Sequence, residues 1–193
     1  MIKRLVLALL ALSGCVETAA AQVAAPAASA APYVSSGAFQ APVTPDAAWA
    51  ALIAPAEWWD DAHTFSGKAA NLSLDARPGG CFCETLPAAD GGAPGGVEHM
   101  RVVYLKPGDA LRLRGALGPL QSEPVEGVLT VKLEAKDGGT RVAWTYAWAG
   151  AMRYPAAQIV PAVAGVMKGQ FDRLAKRLGA VPSKPVTKPV ETR

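Results

Sequence analysis

From residue 71 to 149 the chain alternates apolar with polar residues in short runs, and after residue 158 the apolar spacing changes to steps of three and four. Period two predicts half-buried strands, and the longer spacing predicts an amphipathic helix. The strand-like runs span residues 71–74, 81–86, 97–105, 110–117, 125–135 and 140–149. Pro78-Gly79-Gly80, Pro107-Gly108 and Asp137-Gly138-Gly139 supply turns between them. The helix is predicted over 158–178, with Val160, Val163, Val166, Met167, Phe171, Leu174 and Leu178 in one stripe and Gly179 as its stop. Upstream, Pro45-Asp46 opens a short helix carrying Trp49, Leu52 and Ile53. Pro55 breaks that helix, and residues 56–61 form a second short turn with Trp58 and Trp59. The full order reads strand, helix, helix, six strands, helix.

Hairpin pairing turns these runs into faces. With the turn at Pro107-Gly108, Tyr104 faces Leu111, Val102 faces Leu113 and Met100 faces Gly115. Across Asp137-Gly138-Gly139, Leu133 faces Val142, Val131 faces Trp144, Leu129 faces Tyr146 and Gly127 faces Trp148. Side chains alternate along a strand, so these residues collect on one dry face, while Arg101, Arg112, Arg114, Thr130, Lys132, Glu134, Arg141 and Thr145 collect on the other. An antiparallel sheet with one apolar face needs a cover, and the C-terminal helix is the natural one.

Several segments carry a family resemblance. They are Trp58-Trp59, His63-Thr64-Phe65-Ser66-Gly67, Asn71-Leu72-Ser73-Leu74, Gly79-Gly80-Cys81-Phe82-Cys83-Glu84, Glu98-His99-Met100-Arg101-Val102 and Gly115-Ala116-Leu117-Gly118-Pro119-Leu120-Gln121. Together they resemble the START-like superfamily, and within it the SRPBCC group of polyketide cyclases and Hsp90-activator-like domains, over residues 39–178. The resemblance implies an α+β helix-grip fold: a curved antiparallel sheet wrapped around a long C-terminal helix, with two short helices after the first strand. It also implies a hydrophobic cavity between sheet and helix. It implies no single activity, because fold does not determine function.

The chain starts with the layout of a secretory signal: basic Met1-Ile2-Lys3-Arg4, an apolar run over 5–12, then small residues. Eight apolar residues cover ~12 Å as a helix, too short for a ~30 Å bilayer core. Two cleavage readings stay open. Leu12-Ser13-Gly14-Cys15 matches a lipoprotein signal, which would place a lipid anchor on Cys15, and Ala19-Ala20-Ala21 before Gln22 matches an ordinary cut. The expected organisation is a signal over 1–21, an Ala/Pro-rich linker over 22–37, the domain over 38–180 and a Pro/Lys-rich tail over 181–193. The expected location is the periplasm or beyond. Nineteen lysines and arginines face sixteen acids, and Lys3 and Arg4 belong to the signal. The remainder is within one charge of neutral, which argues against nucleic acid as a partner.

Candidate chemistry is sparse. Cys81 and Cys83 are expected as buried thiols on the dry face, because alternate strand residues lie ~6.6–7 Å apart, at the limit of disulfide reach. Two histidines in the whole chain make a metal site unexpected, and no cofactor is anticipated. Glu84 and His99 come opposite each other, but strand parity assigns them, with Arg101, to the outer face as a solvated pair. The same parity turns Glu98 inward. The expected ligand is a small apolar or amphipathic molecule, lipid included. Met100, Tyr104, Leu113, Leu129 and Tyr146 would line its pocket, with Glu98 and His63 near the opening, and Gly115 and Gly127 would leave room beside them. A cyclase- or hydrolase-like enzyme using Glu98, His63 or a tyrosine hydroxyl is the alternative; no nucleophile–base–orienter set is visible to support it. A protein-interaction module is the third reading.

Overall fold

The computed structural model describes residues 31–88 and 91–180. Seven strands form one antiparallel sheet: β1 (Tyr33–Ala41), β2 (Leu72–Leu74), β3 (Cys81–Leu86), β4 (Gly95–Lys106), β5 (Ala110–Arg114), β6 (Val125–Lys136) and β7 (Gly139–Gly150). Their spatial order is β1-β7-β6-β5-β4-β3-β2, so β1 crosses over to pair with the last strand and every other neighbour is a hairpin partner. Helix α1 (Pro45–Leu52) follows β1, and helix α2 (Ala156–Arg177) closes the chain's order and lies against the sheet's dry face. This is a helix-grip fold. The second short helix is reduced to single 3-10 turns at Pro55–Glu57, Asp61–His63 and Ala69–Asn71, because Pro55 interrupts the hydrogen-bond ladder after α1.

Local chemistry explains the boundaries. The Thr44 hydroxyl accepts from the Ala47 amide and caps α1, and Pro45 fills the first turn, where its missing N–H costs nothing. At the end of α2, Gly179 takes φ +72°, its amide donates to Lys176 and that of Ala180 donates to Ala175. This double closure needs a left-handed residue, which glycine adopts without steric penalty.

The β6–β7 hairpin has the expected register, with Val131 opposite Trp144 and Gly127 opposite Trp148. Met100, Val102, Leu111, Leu113, Leu129, Val131, Leu133, Val142, Trp144, Tyr146 and Trp148 are all buried, while Lys132 and Arg112 are exposed. The Trp144 ring stacks on Phe171 of α2 at 4.8 Å and 7°. Phe171 also meets Trp58 at 6.0 Å, and Trp58 lies 5.4 Å from Trp59. Both buried indoles are satisfied: Trp58 donates to the Ala51 carbonyl and Trp59 to that of His63.

The structure departs from the sequence reading in four places. First, β1 begins at Tyr33, inside the stretch assigned to a linker. Its small residues are small for a packing reason, since Ser35 and Gly37 pair with Tyr146 and Trp144. A Cβ on Gly37 would lie 2.8 Å from the Trp144 Nε1. Second, β4 carries two extra residues. His99 is inserted between the pairs Phe82–Met100 and Cys83–Glu98, and Val103 between Val102–Leu113 and Tyr104–Arg112. Each insertion inverts the alternation beyond it. Tyr104 therefore faces out, 45 % exposed, with the Arg112 guanidinium 5.6 Å over its ring, and Glu98 faces out in an ion pair with Arg101. Glu84 and His99 are buried instead.

Third, Cys81 and Cys83 are joined by a disulfide and are half-buried, with their Cα atoms 5.3 Å apart at the β3 irregularity between Phe82 and Cys83. Local contraction brings the pair inside disulfide range. Fourth, the glycines expected to leave space for a guest admit other protein atoms. A Cβ on Gly127 would lie 2.6 Å from both the Gly115 carbonyl oxygen and the Tyr146 hydroxyl, and one on Gly115 would lie 2.6 Å from the His99 carbonyl. The proposed signal and the tail over 181–193 lie outside the described residues.

Candidate functional site

Aromatic rings fill the middle of the sheet–helix interface. Leu113 and Leu129 border only a void of about 20 Å³ among Trp58, Phe82 and Phe171. The room lies at one end, between the first half of α2, the loop over residues 62–65 and the β5–β6 connection. There a cavity of about 420 Å³ is walled by Ile159, Val163, Val166 and Met167 from α2, by Leu117 to Pro119 from the β5–β6 connection, and by Trp59 and residues 62–65. That volume falls in the range of small-molecule sites, ~300–1,000 Å³. Both histidines of the chain line it, His63 from the exposed loop side and His99 from β4.

The loop that forms one wall is tied down by its own polar groups. The Asp61 carboxylate accepts from the Ala69 amide at 2.7 Å, and the Thr64 hydroxyl donates to the Asp61 carbonyl at 2.8 Å. Asn71 donates to the Ser66 hydroxyl at 3.0 Å. Gln170, buried on α2, accepts from the Asp60 amide at 2.8 Å and so pins the turn to the helix. Beyond the cavity lining, the buried Glu123 carboxylate accepts from the Arg153 backbone and guanidinium. That contact clamps the segment entering α2 to the β5–β6 connection.

Glu84 and His99 form the polar centre. The Glu84 side chain is 0 % exposed and its carboxylate accepts from His99 Nε2 at 3.0 Å, the Phe65 amide at 3.0 Å and the Ser66 amide at 2.5 Å. Burial alone would raise its pKa. The hydrogen bonds from Ser66, Phe65 and His99 outweigh that, and the net direction is below the usual carboxylate value. Glu84 is thus an anion that only accepts, and the proton it meets must sit on His99 Nε2. Burial pushes the His99 imidazole down, against the pull of Glu84. The ring is therefore neutral at pH 7, and its remaining nitrogen, Nδ1, is a bare acceptor. Among the described residues nothing hydrogen-bonds Nδ1. Phe65 and Phe82 hold the ring in place, at 5.8 and 5.0 Å between centroids.

Of the residues expected to line a pocket, His63 alone borders this cavity. Met100 and Glu98 border a second, polar depression with Arg114, Gly115 and Gln121, and His99 lines both it and the cavity. Tyr146 is buried; its hydroxyl accepts from the Leu117 amide at 3.3 Å and burial pushes its phenol up to about 12. The sequence reading set Glu84 directly opposite His99 on the outer face; in the structure Glu84 lies opposite Val97, His99 is the inserted residue, and the two side chains meet inside at 3.0 Å. For the outward turn of Tyr104 a signal exists in Val102-Val103-Tyr104-Leu105, four apolar residues in a row, which breaks strict alternation at the Val103 insertion.

No family model and no curated protein matches the sequence. Solved structures share the fold. A putative uncharacterized protein from Rhizobium leguminosarum is 19 % identical, with 77 % of this chain and 95 % of that one covered at a TM-score of 0.58. A protein from Chromobacterium violaceum is 17 % identical over 76 % and 96 % at 0.52. A protein of unknown function from Staphylococcus aureus is 14 % identical over 77 % and 95 % at 0.51. At these identities the likeness is one of architecture, and the chain has the helix-grip fold in common with them.

Proposed function

We propose that this domain binds a small apolar or amphipathic molecule in the cavity beside His99. The observation that carries the reading is a cavity of about 420 Å³ walled by aliphatic and aromatic side chains around one buried, carboxylate-oriented imidazole. Apolar walls supply the driving force for uptake, and a single fixed polar group supplies orientation. The sequence resemblance to the SRPBCC group, whose fold implies such a cavity, supports the same reading.

The test is titration with an environment-sensitive apolar dye, comparing the parent with Ala162→Trp. Ala162 is an exposed position of α2 that borders the cavity, so an indole there fills space without disturbing the core. Dye uptake should fall at an unchanged denaturation midpoint. Equal uptake by both proteins would place dye binding elsewhere and end the proposal.

We also propose that the protein works outside the cytoplasm. The basic and apolar start of the chain supports this, and so does the Cys81–Cys83 disulfide, since disulfides persist in oxidising compartments.

A further inference from the structure

The cavity walls are mostly apolar, with His63 and Thr64 on the exposed loop side and His99 as the buried polar side chain, and the state of the His99 imidazole follows from its neighbours. Glu84 accepts from three donors, is fully buried and does not line the cavity, so the ligand does not meet it. It fixes the ring instead: Nε2 donates to the carboxylate, so the nitrogen left for the cavity is Nδ1, with a lone pair and no proton. Phe65 and Phe82 against the ring prevent it from turning its other edge inward. A lone pair without a donor in an apolar site costs free energy when a ligand displaces its water, unless the ligand brings a donor of its own. A ligand carrying only acceptors, such as an ether or ketone, cannot satisfy it. The walls nearest this point are rings, with Trp59, His63 and Phe65 on one side, while Val163 and Met167 face them from α2. Such walls suit a flat body.

We propose that the site selects flat apolar compounds bearing a hydroxyl donor, of the phenol or enol class, whose O–H is hydrogen-bonded to Nδ1 of His99. Glu84 is the positioning residue, since it sets the tautomer without touching the ligand. This inference rests on the cavity being a ligand site. It goes further by naming the functional group the ligand must carry.

The experiment compares 2-naphthol with 2-methoxynaphthalene by equilibrium dialysis on the full chain. The two differ by replacement of the O–H with a methyl ether. Naphthol should bind about tenfold more tightly, the factor given by one ordinary net hydrogen bond. In His99→Leu the two should bind alike. Nitrogen-15 NMR of the histidines gives a readout without mutation. In the free protein His99 should carry its proton on Nε2, and its Nδ1 signal should move on adding naphthol and stay still on adding the ether. Equal binding of the two compounds by the parent, or a proton found on Nδ1, would overturn the donor rule while leaving the cavity as a ligand site. Binding of neither compound would remove the cavity reading as well, and the donor rule with it. If His99→Leu does not fold, the parent's preference and the NMR tautomer still decide.

Discussion

Glu84→Ala tests the centre of the site and the core beside it in one substitution. The carboxylate is fully buried and accepts three hydrogen bonds, from His99 Nε2 and from the Phe65 and Ser66 amides. Alanine leaves all three donors without an acceptor. A buried donor left unpaired costs about 1–3 kcal/mol. Phe65 is 54 % exposed, so water can reach the loop amides, and the low end of that range applies. Three donors at about 1 kcal/mol each give a loss of about 3 kcal/mol. Urea unfolding followed by tryptophan fluorescence at pH 7 measures it. Glu84→Gln should lose less, because its amide keeps an oxygen for some of the donors.

The same titrations at falling pH add a sign. His99 has a folded pKa below its usual 6.5, so from about 6.5 downward the unfolded chain binds a proton that the folded chain refuses. Stability then falls as pH drops. Glu84 has a folded pKa below its usual 4.5, so its contribution is present above 4.5 and is lost as pH falls through the folded value. Both groups make acid destabilising, in two successive windows. In Glu84→Ala the window below 4.5 should flatten relative to the parent, while the one starting at 6.5 persists. A Glu84→Ala protein within about 0.5 kcal/mol of the parent, with an unchanged acid limb, would refute the role given to this carboxylate.

Two further outcomes check other parts of the structure. Trp144→Ala removes the ring stacked on Phe171 and should cost about 3–5 kcal/mol, whereas Lys132→Ala on the wet face should stay within about 0.5 kcal/mol; denaturation midpoints in the reverse order would contradict the sheet's facing. Intact mass of protein from its own host should show loss of residues 1–14 or 1–21, with a diacylated Cys15 selecting the lipoprotein route, and retention of Met1 would refute export.

What the sequence determined by itself is what local spacing encodes. Alternation placed six strands and paired β6 with β7 in the right register, because a tight turn at Asp137-Gly138-Gly139 leaves no freedom to slip. Steps of three and four placed α2, and Gly179 ended it through its backbone freedom. The proximity of Glu84 and His99 was legible too, although Glu84 lies opposite Val97 and not opposite His99 as expected. Tertiary structure decided the rest, and most of it turned on two single-residue insertions. His99 and Val103 each invert the alternation of β4, which sends Tyr104 and Glu98 to solvent and leaves His99 inside, while Glu84 is buried because the β3–β4 register sets Phe82 opposite Met100 and so turns Phe82 and Glu84, not Cys81 and Cys83, to the core. An insertion of this kind depends on the partner strand's path, to which a single strand's pattern is nearly blind. The start of β1 was hidden for a related reason. Its Ser35 and Gly37 are small because Tyr146 and Trp144 lie opposite them, a constraint set by residues more than a hundred positions away. The cavity, too, is a product of packing. Trp58, Trp59, Phe82, Trp144 and Phe171 crowd the middle of the interface, and the space left over falls at the end where His99 emerges.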